Sequence, residues 1–240
     1  MRLDPRSSCG SPATPLPSCR REHIHEGGSV TQAEPIRTKR VRLTGEQRER
    51  QLLDVAETLF TQRGYEAVSI EDIARAAGVS RPIVYHHYGS REGVFLACVA
   101  RARSQFERAL LDRVSAAGDD LAGVFHAGGE AYFDLIEDDP QRFVLLFTAS
   151  SSLHAGLSEQ LATLRTDTIR TIATVIRQKN PSIKSEVALA IAYSASGIGE
   201  QLGRWWLDKP SMPKRRLLSY YTGALDGAAK GILAVASGHT

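Results

Sequence analysis

From Thr44 to the C-terminus, apolar residues return every three or four positions, the period of helices with one face turned to a core. Leu52, Leu53, Val55, Ala56, Leu59 and Phe60 form the first such stripe, and Gly64 ends it. Ser69, followed by Ile70, Glu71 and Asp72, has the form of a helix N-cap with acids in the first turn. Ile70, Ile73, Ala74 and Ala77 then share one face, and Gly78 breaks the chain. Ser80 caps the next helix, with Pro82 tolerated in its first turn and Ile83, Val84 and Tyr88 expected on its inner face. Gly89-Ser90 ends that helix and caps a long one from Arg91. Further helices are expected near 91–117, 119–137, 140–150, 154–179, 184–208 and 213–236, with breaks at Asp138-Asp139-Pro140, Asn180-Pro181 and between Pro210 and Pro213. No segment alternates as a strand does, so the pattern predicts an all-α fold.

The first 36 residues depart from this pattern. Pro5, Pro12, Pro15, Pro17 and Pro35 deny them regular structure, and their charges cancel. They are read as a disordered tail, in which His23 and His25 are solvated rather than metal-bound. Glu26-Gly27-Gly28 requires a purine-rich codon run at ribosome-binding distance from Val30, so translation starting at Val30 is an alternative beginning of the chain. The expected organisation is therefore a tail (1–36), an arm with a domain of short helices (37–95) and a larger helical domain (96–240).

Charge adds one local feature. The whole chain carries a net charge of only +3, yet Arg37, Lys39, Arg40, Arg42, Arg48 and Arg50 face just Glu46 and Glu49 within residues 37–50. Such a segment suits phosphate or minor-groove contact better than a plain solvated helix entry. Cys9, Cys19 and Cys98 are too scattered for a disulfide framework or a zinc site, which fits a reducing cytoplasm. No run approaches the roughly 18 apolar residues of a membrane span. No nucleophile elbow, phosphate loop or HExxH stands in the chain, and Ser150–Ser152 before His154 read as loop residues rather than a catalytic set. Neither an enzyme, a cofactor nor a metal is expected.

Ile70–Tyr85 has the spacing of a helix-turn-helix. Ala74 is small where the second helix must approach, Gly78 supplies the positive φ of the turn, and Val79 and Val84 lock the helices together. The outer face of the second helix is then free to enter a major groove. Leu52–Phe60, Gly64–Ala74, Ala77–Ser80 and Val84–Glu92 together resemble the TetR family of bacterial transcriptional regulators over about 50 contiguous residues, with Tyr88 where Phe is commoner and Arg91 where Lys is commoner.

Geometry and resemblance together imply residue roles. Ser80, Arg81 and Pro82 open the recognition helix, Arg81 being the candidate for bidentate contact with a guanine edge. Tyr85, His86 and Ser69 are expected on phosphates, Thr44 and Arg91 beside the backbone, and Arg40 and Arg42 in the arm.

The C-terminal domain is large enough to hold a ligand cavity between helices. Phe106, Phe125, Tyr132, Phe133, Phe147 and Tyr193 are candidate linings for an effector, with His126, Arg142, Gln201 and Arg204 as polar companions. Ala195, Gly199 and Gly203 recur every four residues, as do Gly223, Gly227 and Gly231. Glycine inside a helix costs roughly 1 kcal/mol against alanine, so these stripes need a reason, and close packing across a homodimer seam is the expected one. Phe133–Phe143 and Arg204–Asp208 also resemble TetR-type regulators of fatty-acid and acyl-CoA metabolism, which implies a long, mostly apolar tunnel for an acyl-CoA or other apolar ligand. The expected protein is a cytoplasmic homodimer that binds a double-stranded operator and is released by such an effector; an architectural DNA binder without effector is the alternative.

Overall fold

The computed structural model describes residues 43–147 and 155–238. The arm residues Arg40 and Arg42, the tail, and Ser150–His154 lie outside them. Nine helices and no strand occur among the described residues: α1 (Gly45–Arg63), α2 (Ile70–Ala76), α3 (Arg81–Tyr88), α4 (Arg91–Ala116), α5 (Leu121–Asp138), α6 (Pro140–Phe147), α7 (Ala155–Lys179), α8 (Ser185–Asp208) and α9 (Lys214–Ala236).

Side-chain caps set most of the first starts, at Ser69 and Ser90 as the sequence led one to expect and at Thr44 and Asp120 besides. Thr44 and Gln47 form a reciprocal capping box on α1, with Gln47 N donating to Thr44 Oγ1 at 3.2 Å and Thr44 N to Gln47 Oε1 at 2.9 Å. Ser69 and Asp72 do the same for α2, Ser90 caps α4 and Asp120 caps α5. Gly78, at φ 65°, makes the α2–α3 turn, which a side chain would strain even though nothing crowds the position.

α4 joins the two functional halves. Its first turns pack with α1 and α3, and its remainder lies among α5, α6 and α7. The expected domain boundary near residue 95 thus falls inside one continuous helix, and the described residues from Leu43 onward pack as a single unit. At the α1–α4 contact, Phe60, Tyr65 and Phe95 stack with ring centroids 4.8–6.0 Å apart. Deeper in the body, Phe133 is fully buried and meets Tyr132, Trp206 and Tyr221 edge-on.

One reading from sequence is corrected here. Ala195, Gly199 and Gly203 do not lie on a subunit seam; they face the interior of their own chain. A Cβ on Gly203 would come within 2.7 Å of Ile136 Cδ1 and 2.9 Å of Phe143 Cζ, and one on Gly199 within 3.4 Å of Tyr132. Their smallness allows α8 to seat against α5 and α6. The outward row on α8 is instead Tyr193, Gly197, Gln201 and Trp205, displaced by two residues, or about 200° around the helix. On α9 the assignment differs: Tyr221, Leu225 and Ala229 point inward, while Gly223, Gly227 and Gly231 are exposed with open space where a side chain would stand.

Candidate nucleic-acid interface and ligand cavity

The recognition helix α3 buries a single side chain, Val84, and presents the rest of its first two turns outward. Ser80, Arg81, Pro82, Tyr85 and His86 are all exposed, which brings five of the sequence-predicted contacts onto one face. Ser80 makes no side-chain cap, so its hydroxyl is not committed to its own helix. The Arg81 guanidinium is engaged only with Glu71, at 3.5 Å, in a pair exposed on both sides. Such surface pairs are worth little and yield readily to a better partner. Ile83, expected inside, is 36% exposed and adds an apolar group beside Pro82. The helix is held from behind: Gln51 Nε2 donates to Ala77 O at 3.2 Å, and the Tyr88 hydroxyl to Glu49 O at 3.1 Å.

Two expected contacts, Ser69 and Arg91, are placed differently, while Thr44 keeps a free donor. The Ser69 hydroxyl is consumed by its cap, accepting from Asp72 N at 3.2 Å and donating to Asp72 Oδ2 at 2.5 Å, which leaves no proton for a phosphate. Those bonds hold the Asp72 carboxyl below its ordinary range. Arg91 is turned onto the protein itself, with Cζ 4.3 Å from the Tyr65 ring centroid and carboxylates of Glu66 and Glu92 at 3.6 and 3.9 Å. Thr44 Oγ1 accepts the α1 cap and keeps its own O–H for an outside partner.

The body holds an apolar cavity between α4, α5, α6, α7, α8 and α9. Phe106, Phe125, Tyr132 and Phe147 line it, as the sequence led one to expect. Phe133 does not, being packed between Trp206 and Tyr221, and Tyr193 is half exposed on the outer face of α8. The expected polar companions also lie elsewhere. His126 and Gln201 are exposed, Arg142 reaches Glu57, and Arg204 binds Glu200 and the Phe147 carbonyl. The polar groups at the cavity wall are instead Arg103, Arg165 and Thr168. The signal for the arginines was present: Arg103 interrupts the stripe Val99, Phe106, Leu110, and Arg165 the stripe Leu161, Ile169, Ile172.

A second polar cluster ties the body to the DNA-binding helices. Glu57 of α1, buried, accepts from Arg142 Nε and Nη2 of α6 at 2.9 and 2.7 Å and also from Arg101 of α4. Arg101 Nη1 donates to Asp54 at 2.6 Å. α6 therefore holds the DNA-binding half through Arg142 near its start and lines the cavity through Phe147 at its end.

A supported helix-turn-helix with an exposed cationic and apolar recognition face defines a sequence-reading DNA-binding protein. Residues 52–98 match the profile of the bacterial regulatory proteins, tetR family. The chain is 28% identical over 171 residues to the HTH-type transcriptional activator FasR of Mycolicibacterium smegmatis, covering 70% of this chain and 77% of that protein. It is 32% identical over 108 residues to the HTH-type transcriptional regulator EthR of Mycobacterium tuberculosis, covering 44% and 50%. In fold it is similar to a tetR-family transcriptional regulator from Streptomyces coelicolor, with a TM-score of 0.62 and 22% identity over 82% of this chain and 85% of that one. It is also similar to the fatty acid degradation regulator FadR from Bacillus halodurans, with a TM-score of 0.63 and 14% identity over 77% and 96%. The chain thus carries a TetR-family DNA-binding segment over residues 52–98 and is a DNA-binding transcriptional regulator. No described helix is long and apolar enough to cross a membrane.

Proposed function

We propose that this regulator is a cytoplasmic homodimeric repressor, released from its operator by a small apolar effector held in the C-terminal cavity. The observation that carries the reading is the path of α6, which touches the cavity with Phe147 and the DNA-binding half with Arg142. An effector that prefers one placement of α6 shifts the Glu57 cluster and with it the pose of α1 to α3. The change in DNA affinity then equals the effector's preference between the two poses.

Within each subunit, Ser80, Arg81, Pro82, Tyr85 and His86 read and position the major groove, and Arg40 and Arg42 extend the phosphate contacts from the arm. The dimer seam is assigned to the outward rows of α8 and α9. Gly223, Gly227 and Gly231 gain nothing within their own chain from lacking a side chain, so a neighbouring helix is the reason for them. Trp205 and Tyr220, both exposed and 6.3 Å apart, flank that surface with apolar area. Two copies related by a two-fold axis present two recognition helices to half-sites about one helical turn, or a multiple of it, apart.

Selection of bound DNA from a random pool, followed by sedimentation of the free protein, tests this. A pseudo-palindromic operator and a stable dimer are expected. A single unrepeated half-site bound by a monomer contradicts the reading.

A further inference from the structure

The cavity has a polar neck. Arg103 and Arg165 line the apolar chamber on one side and, on the other, an outer groove reached past Tyr193 and Leu161. Arg165 is neutralised by Glu200, which Arg204 shares at 2.7 Å. Arg103 has no such partner: although only 5% exposed, it forms no salt bridge among the described residues. Its Nη2 donates to the Leu146 carbonyl at the end of α6, 3.0 Å away, and its Nε has no acceptor among the described residues. Burial, with the Arg165 charge adding to it, lowers its pKa to about 10, which leaves it cationic at neutral pH. Tyr132, at the wall of the same cavity, is 7% exposed and its hydroxyl has no hydrogen-bond partner among the described residues. Tyr132, Arg103 and Arg165 all line the cavity, with Glu200 bonded to Arg165. Beyond the neck the chamber is closed by Leu110, Val114, Val124, Ile172, Val175 and Ile176.

Each feature has a cost in an empty cavity. A buried guanidinium with no carboxylate in contact, Glu107 and Glu200 acting on it only from beyond salt-bridge distance, and a buried phenol without a partner among the described residues are both unfavourable. A carboxylate satisfies both at once, accepting a charge-assisted bond from Arg103 and an O–H from Tyr132. Resting on the reading of the cavity as an effector site, we propose that the effector is a single-chain aliphatic carboxylate. Its head sits at Arg103 and Tyr132, and its chain fills the apolar chamber. A carboxylate there also competes with the Leu146 carbonyl for Arg103, and so acts directly on the end of α6.

The test is titration calorimetry on the full-length protein with dodecanoate, 1-dodecanol and dodecanoyl-CoA, each below its micellar concentration. Dodecanoate is expected to bind about tenfold or more tighter than the alcohol, the scale of one charge-assisted bond in a buried site. Tyr132→Phe and Arg103→Gln are expected to erase most of that margin while leaving the alcohol's affinity in place. The wild-type ratio decides the matter even if Arg103→Gln does not fold. Equal binding of acid and alcohol overturns the carboxylate assignment and leaves an apolar effector site standing. Stronger binding of the thioester than of the acid also overturns it. Binding of none of the three removes the effector reading itself.

Discussion

The DNA-binding half and the ligand-binding body use their polar residues in opposite ways. On α3 the side chains assigned to DNA are exposed and almost free of internal partners, Arg81 holding only a solvated pair with Glu71. In the body the assigned groups are buried, and what marks them is a missing partner: the Tyr132 hydroxyl and Arg103 Nε. A surface that meets a polyanion can keep its cations in water until contact. A cavity that selects one molecule has to carry its polar groups desolvated in advance. Substitutions in the first region should therefore alter binding and spare stability, whereas those in the second should alter stability as well.

The largest effect is expected where the halves meet. Glu57→Gln leaves Arg101 and Arg142 without their shared counter-charge, and chemical denaturation should register a loss of about 3 kcal/mol, the low end for breaking a buried pair because both arginines retain some solvent. A loss within experimental error would mean that the cluster does not join α1 to α6. Next, Gly203→Ala should lower stability by roughly 1–3 kcal/mol, since its Cβ would overlap Ile136 and Phe143, neither of them solvent-exposed enough to yield. Full tolerance of alanine there would undo the placement of this residue in the interior.

Arg81→Ala should cost about 1–3 kcal/mol of operator affinity and relax selection at one base pair, with the unfolding midpoint unchanged. Uniform weakening on every sequence would reassign Arg81 to a phosphate. Ser69→Ala should lower the midpoint by about 2–4 °C at neutral pH by removing the α2 cap. Because Asp72 is held below its ordinary value by Ser69, the carboxylate's share of the cap is present above about pH 3.8 and is lost as pH falls through the lower folded-state value, while the bond from Asp72 N to the Ser69 hydroxyl remains. The gap between mutant and wild-type midpoints should narrow on acidification, and a constant gap would show that the cap does not depend on the carboxylate. Smallest is Gly227→Ala. In a solvent-facing helix this change is stabilising by up to about 1 kcal/mol, but against a partner helix it should weaken the dimer measured by sedimentation. An unchanged dimer with a raised midpoint moves the seam elsewhere.

The two regions also differed in how far the sequence revealed them. Helix starts and ends were legible because they are written locally, in Ser69, Gly78, Gly89 and Ser90, and the helix-turn-helix needs no partner beyond its own neighbours. Arg81, Tyr85 and His86 were legible for the same reason: a face turned outward on a short helix follows from spacing alone. The small residues of α8 were not, because a period of four marks a stripe without saying which side of the helix meets the core. Arg91 and Ser69 have the composition of phosphate contacts, but Tyr65 and Asp72 claim them locally. The neck of the cavity brings together α4, α5, α7 and α8, with Arg103 and Glu200 almost a hundred residues apart. Only packing brings such groups to one place, although an arginine inside an apolar stripe was a visible hint.

The central claim is that occupancy of the cavity changes the hold on DNA. It is tested most directly by measuring the dissociation constant for the selected operator with and without dodecanoate at a concentration that calorimetry shows to saturate the protein. The account predicts an affinity about five- to a hundredfold lower with the cavity filled, the usual range of coupling between two sites, and a loss of this difference in Arg142→Met. An operator affinity that stays the same at full occupancy would contradict it.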